Sequence, residues 1–142
     1  MKEIAGNDYQ GLFQEIIVNI ENARIKASKM IYSVLNELNF NNGKAIIERQ
    51  NKFGWGQSVI KKLSQDLNKK YDGLTGYSVS NLQYMRQFYI EYKDQPRLLS
   101  YALQIPWGQN IVIMQKTKKL DEREYYLKAT DKMAWSRSVL LV

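Results

Sequence analysis

LFQEIIVNIENARIKASKMIYSVLNEL, residues Leu12 to Leu38, contains neither proline nor glycine, and its reading decides the fold. Its apolar residues Phe13, Ile16, Ile20, Ala23, Ala27, Met30 and Val34 are spaced alternately three and four. That spacing is the period of a helix with one apolar face. Ile17, Ile31, Leu35 and Leu38 widen the stripe. One helix of about seven turns is expected, with a seam suited to a second helix. At ~1.5 Å per residue it would be ~40 Å long, more than a compact domain of ~15 Å radius of gyration covers. The seam Phe13, Ile16, Ile20, Ala23, Ala27, Met30 and Val34 is therefore expected to be an oligomer interface, with further copies of the chain as partners. Packing of the same stripe within its own domain is the alternative.

Beyond Leu38 the Asn-rich run Asn39-Phe40-Asn41-Asn42-Gly43 is expected to break or bend the helix, and a short helical segment follows from Lys44 to about Asn51. Phe53-Gly54-Trp55-Gly56 reads as a turn carrying two aromatics. Val59, Ile60, Leu63 and Leu67 then mark an amphipathic helix from about Gln57 to Tyr71, bearing Lys61, Lys62, Lys69 and Lys70. Asp72 to Gly76 breaks it, with at most a minor hairpin near 72–77. Ser78 or Ser80 can cap the next helix, because a serine hydroxyl accepts from a free first-turn amide. That helix runs to about Tyr92, with Leu82, Met85, Tyr89 and Tyr92 inward. Ser80, Gln83, Tyr84 and Gln87 fall on its opposite face, with Asn81 and Arg86 on the flanks. Pro96 opens a short helix to Gln104, Ile105-Pro106-Trp107-Gly108 is a stiff turn, and Asn110–Lys119 and Asp121–Met133 read as helices. Trp135-Ser136-Arg137 opens a last segment ending in the apolar run Val139–Val142. The fold class expected is all-α, with a long N-terminal helix and a helix-turn-helix-like unit, in one domain over residues 1–142.

The composition narrows the chemistry. With no cysteine and no histidine, the chain has no thiol nucleophile, no thiolate or imidazole metal ligand and no Ser-His or Cys-His pair. Asp121, Glu122 and Glu124 cluster at the start of a helix, where negative charge suits the helix dipole. No phosphate loop or dinucleotide fingerprint is present. The chain is thus expected to lack catalysis and to need no cofactor or metal. No apolar run reaches membrane-spanning length and the start has no signal-peptide core, so no membrane partner is expected, and the absence of cysteine makes the cytoplasm the compartment expected.

The net charge of +7 is unevenly placed. Residues 1–43 carry 4 basic and 5 acidic groups, residues 44–93 carry 9 and 4, and residues 94–142 carry 8 and 5. The excess therefore lies mid-chain, where a basic surface attracts polyanions. The helices at 57–71 and 78–92 are arranged like a helix-turn-helix, although the Asp72–Tyr77 turn is longer than usual. Double-stranded DNA is the expected partner. Lys61, Lys62, Lys69 and Lys70 would hold phosphates, and Ser80, Asn81, Gln83, Tyr84, Arg86 and Gln87 would face the nucleic acid. Alternatively the pair is a plain helical hairpin with a solvated polar face, and the domain a protein-interaction module. Trp55, Trp107 and Trp135 could stack bases but are expected to be core anchors.

Four stretches in order carry a resemblance: Trp55 to Leu67 (WGQSVIKKLSQDL), Gly76 to Tyr89 (GYSVSNLQYMRQFY), Ile105 to Asn110 (IPWGQN) and Trp135-Ser136-Arg137. Together they resemble the N-terminal domain of the YhcG-like proteins, a bacterial family long classed as a domain of unknown function, over roughly residues 9–142. The resemblance implies a domain similar to a winged helix-turn-helix that precedes a nuclease domain of the PD-(D/E)XK type. It implies DNA binding through the segment ending in Tyr84, Arg86 and Gln87, with nuclease chemistry in a part absent from this chain. Gln109 stands where family members usually carry histidine.

Overall fold

The computed structural model describes residues 5–133 and 140–141. Over these the chain is all-helical: α1 (Gly6–Phe53), α2 (Ser58–Lys70), α3 (Val79–Tyr92), α4 (Pro96–Ala102), α5 (Trp107–Lys116) and α6 (Leu120–Met133). No described residue lies in a strand, so 72–77 is a plain turn and no wing is formed there. Trp135-Ser136-Arg137 and the segment they were expected to open lie outside the described residues.

The break expected at residues 39–43 does not occur. α1 continues for 48 residues, about 70 Å at ~1.5 Å per residue. Asparagine in a helix costs only a few tenths of a kcal/mol, and packing overrides it here. The Asn36 amide donates to the carbonyls of Ala102, Leu103 and Ile105 at 3.2, 3.1 and 2.7 Å, which clamps α1 onto the end of α4. Gly43 marks a crossing. A Cβ there would lie 2.0 Å from the Met85 carbonyl oxygen, so only glycine lets α1 and α3 approach this closely. The helix ends instead at Gly54, whose φ of 67° is left-handed and closes the last turn.

α3 is the central helix, touching α1, α2, α4 and α5. Its Leu82 and Met85 pack with Ile60 of α2 in one cluster, and its Phe88 and Tyr92 pack with Leu98, Ile113 and Leu127 in the other. Trp107 bridges the two clusters. Its ring lies edge-on to Phe88 at 5.1 Å, and its indole donates to Asn81 Oδ1 at 2.8 Å. Trp107 is thus the core anchor expected, held by the stiff Ile105-Pro106 turn. Arg123 is buried yet satisfied. Its guanidinium reaches Glu91 at 2.5 Å and the Thr117 carbonyl at 2.7 Å, and stacks over Tyr92 at 5.6 Å.

Candidate nucleic-acid interface

α2 owes its placement to an apolar stripe. Ile60 and Ser64 are buried, Val59, Leu63 and Leu67 half-buried, and the Ser64 hydroxyl donates to the Tyr77 carbonyl at 2.7 Å. That leaves Lys61, Lys62, Lys69 and Lys70 exposed. At about 100° per residue, Lys62 and Lys69 point straight out while Lys61 and Lys70 take opposite flanks. Lys62 is 3.2 Å from Asp66, an exposed pair that water screens. Lys70 lies 5.8 Å from the Tyr71 ring centre.

α3 is capped by Ser78, whose hydroxyl accepts from the Asn81 amide at 3.1 Å; Ser80, two residues on, is exposed. Ser80, Gln83, Tyr84 and Gln87 share the side of α3 opposite Leu82, Met85 and Phe88, as the spacing predicts. Each of them beyond Ser80 is half-buried and has work inside the domain or a cavity beside it. The Asn81 amide donates to the Gly76 carbonyl, and Gln83 donates to Gln57. Arg86 donates to Gln50 at 2.7 Å and to Gln83 at 2.6 Å, and burial lowers its pKa from the ordinary guanidinium value. The Tyr84 hydroxyl accepts from Gln115 at 3.1 Å. Gln87 lines a polar cavity of about 280 Å³ with Glu91, Gln115, Lys118 and Arg123. From Asn81 to Tyr89 no residue of α3 is exposed. A recognition helix needs an open face to enter a major groove. The accessible part of the predicted site is thus α2 with Ser80; Asn81, Gln83 and Arg86 brace the turns that flank α2, and Tyr84 and Gln87 face α5.

The turn joining α1 to α2 adds Lys52 and Phe53, which sequence reasoning gave no part in the site, and Trp55, which it assigned to the core. Trp55 is not a core anchor: it is 47% exposed and stacked on Phe53, itself 53% exposed, at 4.9 Å and 26°. Lys52 Nζ lies 5.3 Å over the Phe53 ring. Gln50 donates to the Gly56 carbonyl at 3.2 Å, so the Arg86–Gln50 pair fixes this turn. The available signal was two aromatics flanking glycine beside Lys52 and just ahead of Lys61 and Lys62. Behind Trp55, α1 and α2 diverge. Between them run two adjoining apolar cavities of about 430 and 330 Å³ that share Ala45, Ile46 and Leu63. Arg49 and Trp55 stand at one end and Tyr71 and Leu74 at the other.

The seven seam residues of α1 all stand exposed. From Gly6 to Ser28 only Ile17 is even half-covered, and Lys29 ties the helix to α6 through Asp131 at 2.9 Å. Among the described residues no three His, Cys, Asp or Glu side chains gather as metal ligands, and no helix is long and apolar enough to cross a membrane.

The sequence matches the DUF1016 N-terminal domain over residues 15–142. The chain belongs to that family. This is the family of the YhcG-like proteins, to which the four motifs pointed. Three of those motifs now have structural roles in this DUF1016 N-terminal domain: Trp55 to Leu67 forms the aromatic turn and α2, Gly76 to Tyr89 forms α3, and Ile105 to Asn110 inserts Trp107 between the core clusters. Comparison with curated proteins and with solved structures yields no match.

Proposed function

We propose that this domain is a DNA-binding and self-associating module that performs no catalysis itself and serves a nuclease-family protein. The observation that carries the reading is the outer surface of α2 and its preceding turn. Four exposed lysines, with Lys52 and the exposed Phe53–Trp55 stack, combine phosphate-neutralising charge with π-faces. Charge of this kind holds the phosphate backbone whatever the sequence, so weak sequence preference is expected. Ser80 is the exposed member of the set on α3, Arg86, Gln83 and Asn81 act as braces, and Tyr84 and Gln87 face α5. The exposed seam of α1 supports self-association.

The test is fluorescence anisotropy with a labelled duplex. Lys62→Gln with Lys69→Gln weakens binding to all sequences alike, since both side chains are exposed and outward. Unchanged affinity would remove α2 from the interface. The apolar groove between α1 and α2 favours a second reading, an assembly module without nucleic-acid binding. A wild-type chain that ignores duplex at ~50 mM salt would select it.

A further inference from the structure

We propose that α1 pairs antiparallel with α1 of a second copy, with Tyr9 against Val34, Phe13 against Met30, Ile16 against Ala27 and Ile20 against Ala23. This rests on the self-association reading and adds its geometry.

The seam has a defined direction. Asn36, Gly43 and Gln50, seven apart, are buried against the body of the domain. At about 100° per residue Phe13, Ile20, Ala27 and Val34, with Tyr9, Ile16, Ala23 and Met30, fall on the opposite side of the helix. The body therefore leaves the seam open even where α1 is attached to it: Met30 is 62% and Val34 66% exposed. The uncovered apolar side chains amount to about 600 Å² per copy, at ~150–250 Å² per large residue. With the alanines and flanking residues this approaches the ~800 Å² per partner of a standard interface. A second copy thus supplies enough contact without a third component.

The order of side-chain sizes sets the orientation. A parallel, in-register pair would stack Phe13 on Phe13 and Ile20 on Ile20, then Ala23 on Ala23 and Ala27 on Ala27. Wide layers would hold the helices apart where the alanine layers need them close, leaving voids at ~24 cal/mol per Å³. In the antiparallel register each alanine faces an isoleucine, and Tyr9 faces the smaller Val34. The overlap also ends where the apolar stripe ends, because the same register sets Ala5 opposite Leu38. Charge favours the same choice. Residues 44–93 carry 9 basic against 4 acidic groups. A parallel pair would set two such segments side by side. The antiparallel pair separates them by about 70 Å along the axis, far beyond the ~8 Å Debye length.

The chain has no cysteine, so single-cysteine variants report the pairing without background. Phe13→Cys and Met30→Cys are made in the full chain, each checked for wild-type helicity. They are oxidised separately and as a mixture, and their mass is read by sedimentation before oxidation. A dimer that cross-links in the mixture, and in neither variant alone, is the expected result. Cross-linking of each variant alone means a parallel pair and overturns the proposal while leaving self-association intact. A dimer that cross-links in none of the three samples also overturns the register. A wild-type chain that sediments as a monomer at tens of micromolar removes both the proposal and the self-association reading, and leaves the seam to a partner of different sequence.

Discussion

Gly43→Ala tests the close crossing on which the body of the domain depends. The added methyl would lie 2.0 Å from the Met85 carbonyl oxygen and 2.7 Å from its carbon, both backbone atoms of α3 that no rotamer change can move. Relief requires α1 and α3 to separate by more than ~1 Å along a contact packed at core density. Overpacking costs ~1–3 kcal/mol, and a clash with backbone belongs at or above the upper end. Alanine recovers ~1 kcal/mol of helix propensity against glycine. The net loss is about 2–3 kcal/mol, which at ~3 °C per kcal/mol for a chain of this size lowers Tm by about 6–9 °C. Gly11→Ala is the matched control. None of the described residues lies within 4 Å of the Cβ it adds, so it raises helicity in the uncovered Gly6–Ser28 part of α1 and leaves the melting of the body unchanged. Thermal melts followed by circular dichroism read both. A Gly43→Ala chain melting at or above wild type would show that glycine is there for some reason other than the crossing.

Two further perturbations address the core and the brace. Burial raises the Tyr92 phenol above its usual range near 10, and its hydroxyl has no hydrogen-bond partner among the described residues. The unfolded chain therefore loses this proton first, so stability is full below about pH 10 and declines as pH rises above it. Tyr92→Phe should be near-neutral at pH 7 and should flatten that alkaline decline in urea melts. An equally steep decline would mean other groups cause it. Arg86→Leu leaves Gln50 and Gln83 each short of a donor, at about 1–3 kcal/mol. It should also loosen the Trp55 turn, read as a red shift of tryptophan emission. A stable variant with an unshifted spectrum would free Arg86 from the bracing role.

The long helix, the Ser78 cap, the lysine-bearing α2 and the Trp107 anchor were legible in the sequence, because each follows from local periodicity or turn chemistry. Gly43 was misread. A glycine after three asparagines looks like a breaker until a second helix is seen to cross there, and that information lies 42 residues away at Met85. Trp55 was misread for the opposite reason. Tryptophan is usually buried, but α1 and α2 diverge behind it and no described element comes to cover it. The polar face of α3 was located correctly by its spacing. Its half-burial was not legible, because Gln50, Gln57 and Gln115 reach it from distant segments.

Duplex affinity measured across a salt series tests DNA binding most directly. Four lysines of α2, helped by Lys52, would neutralise about four or five phosphates per domain, giving a log–log slope near −4 at ~0.9 per phosphate. Lys61→Gln with Lys62→Gln should flatten that slope by about two units. A slope near zero, or no binding at ~50 mM salt with the assembly intact, would contradict the account.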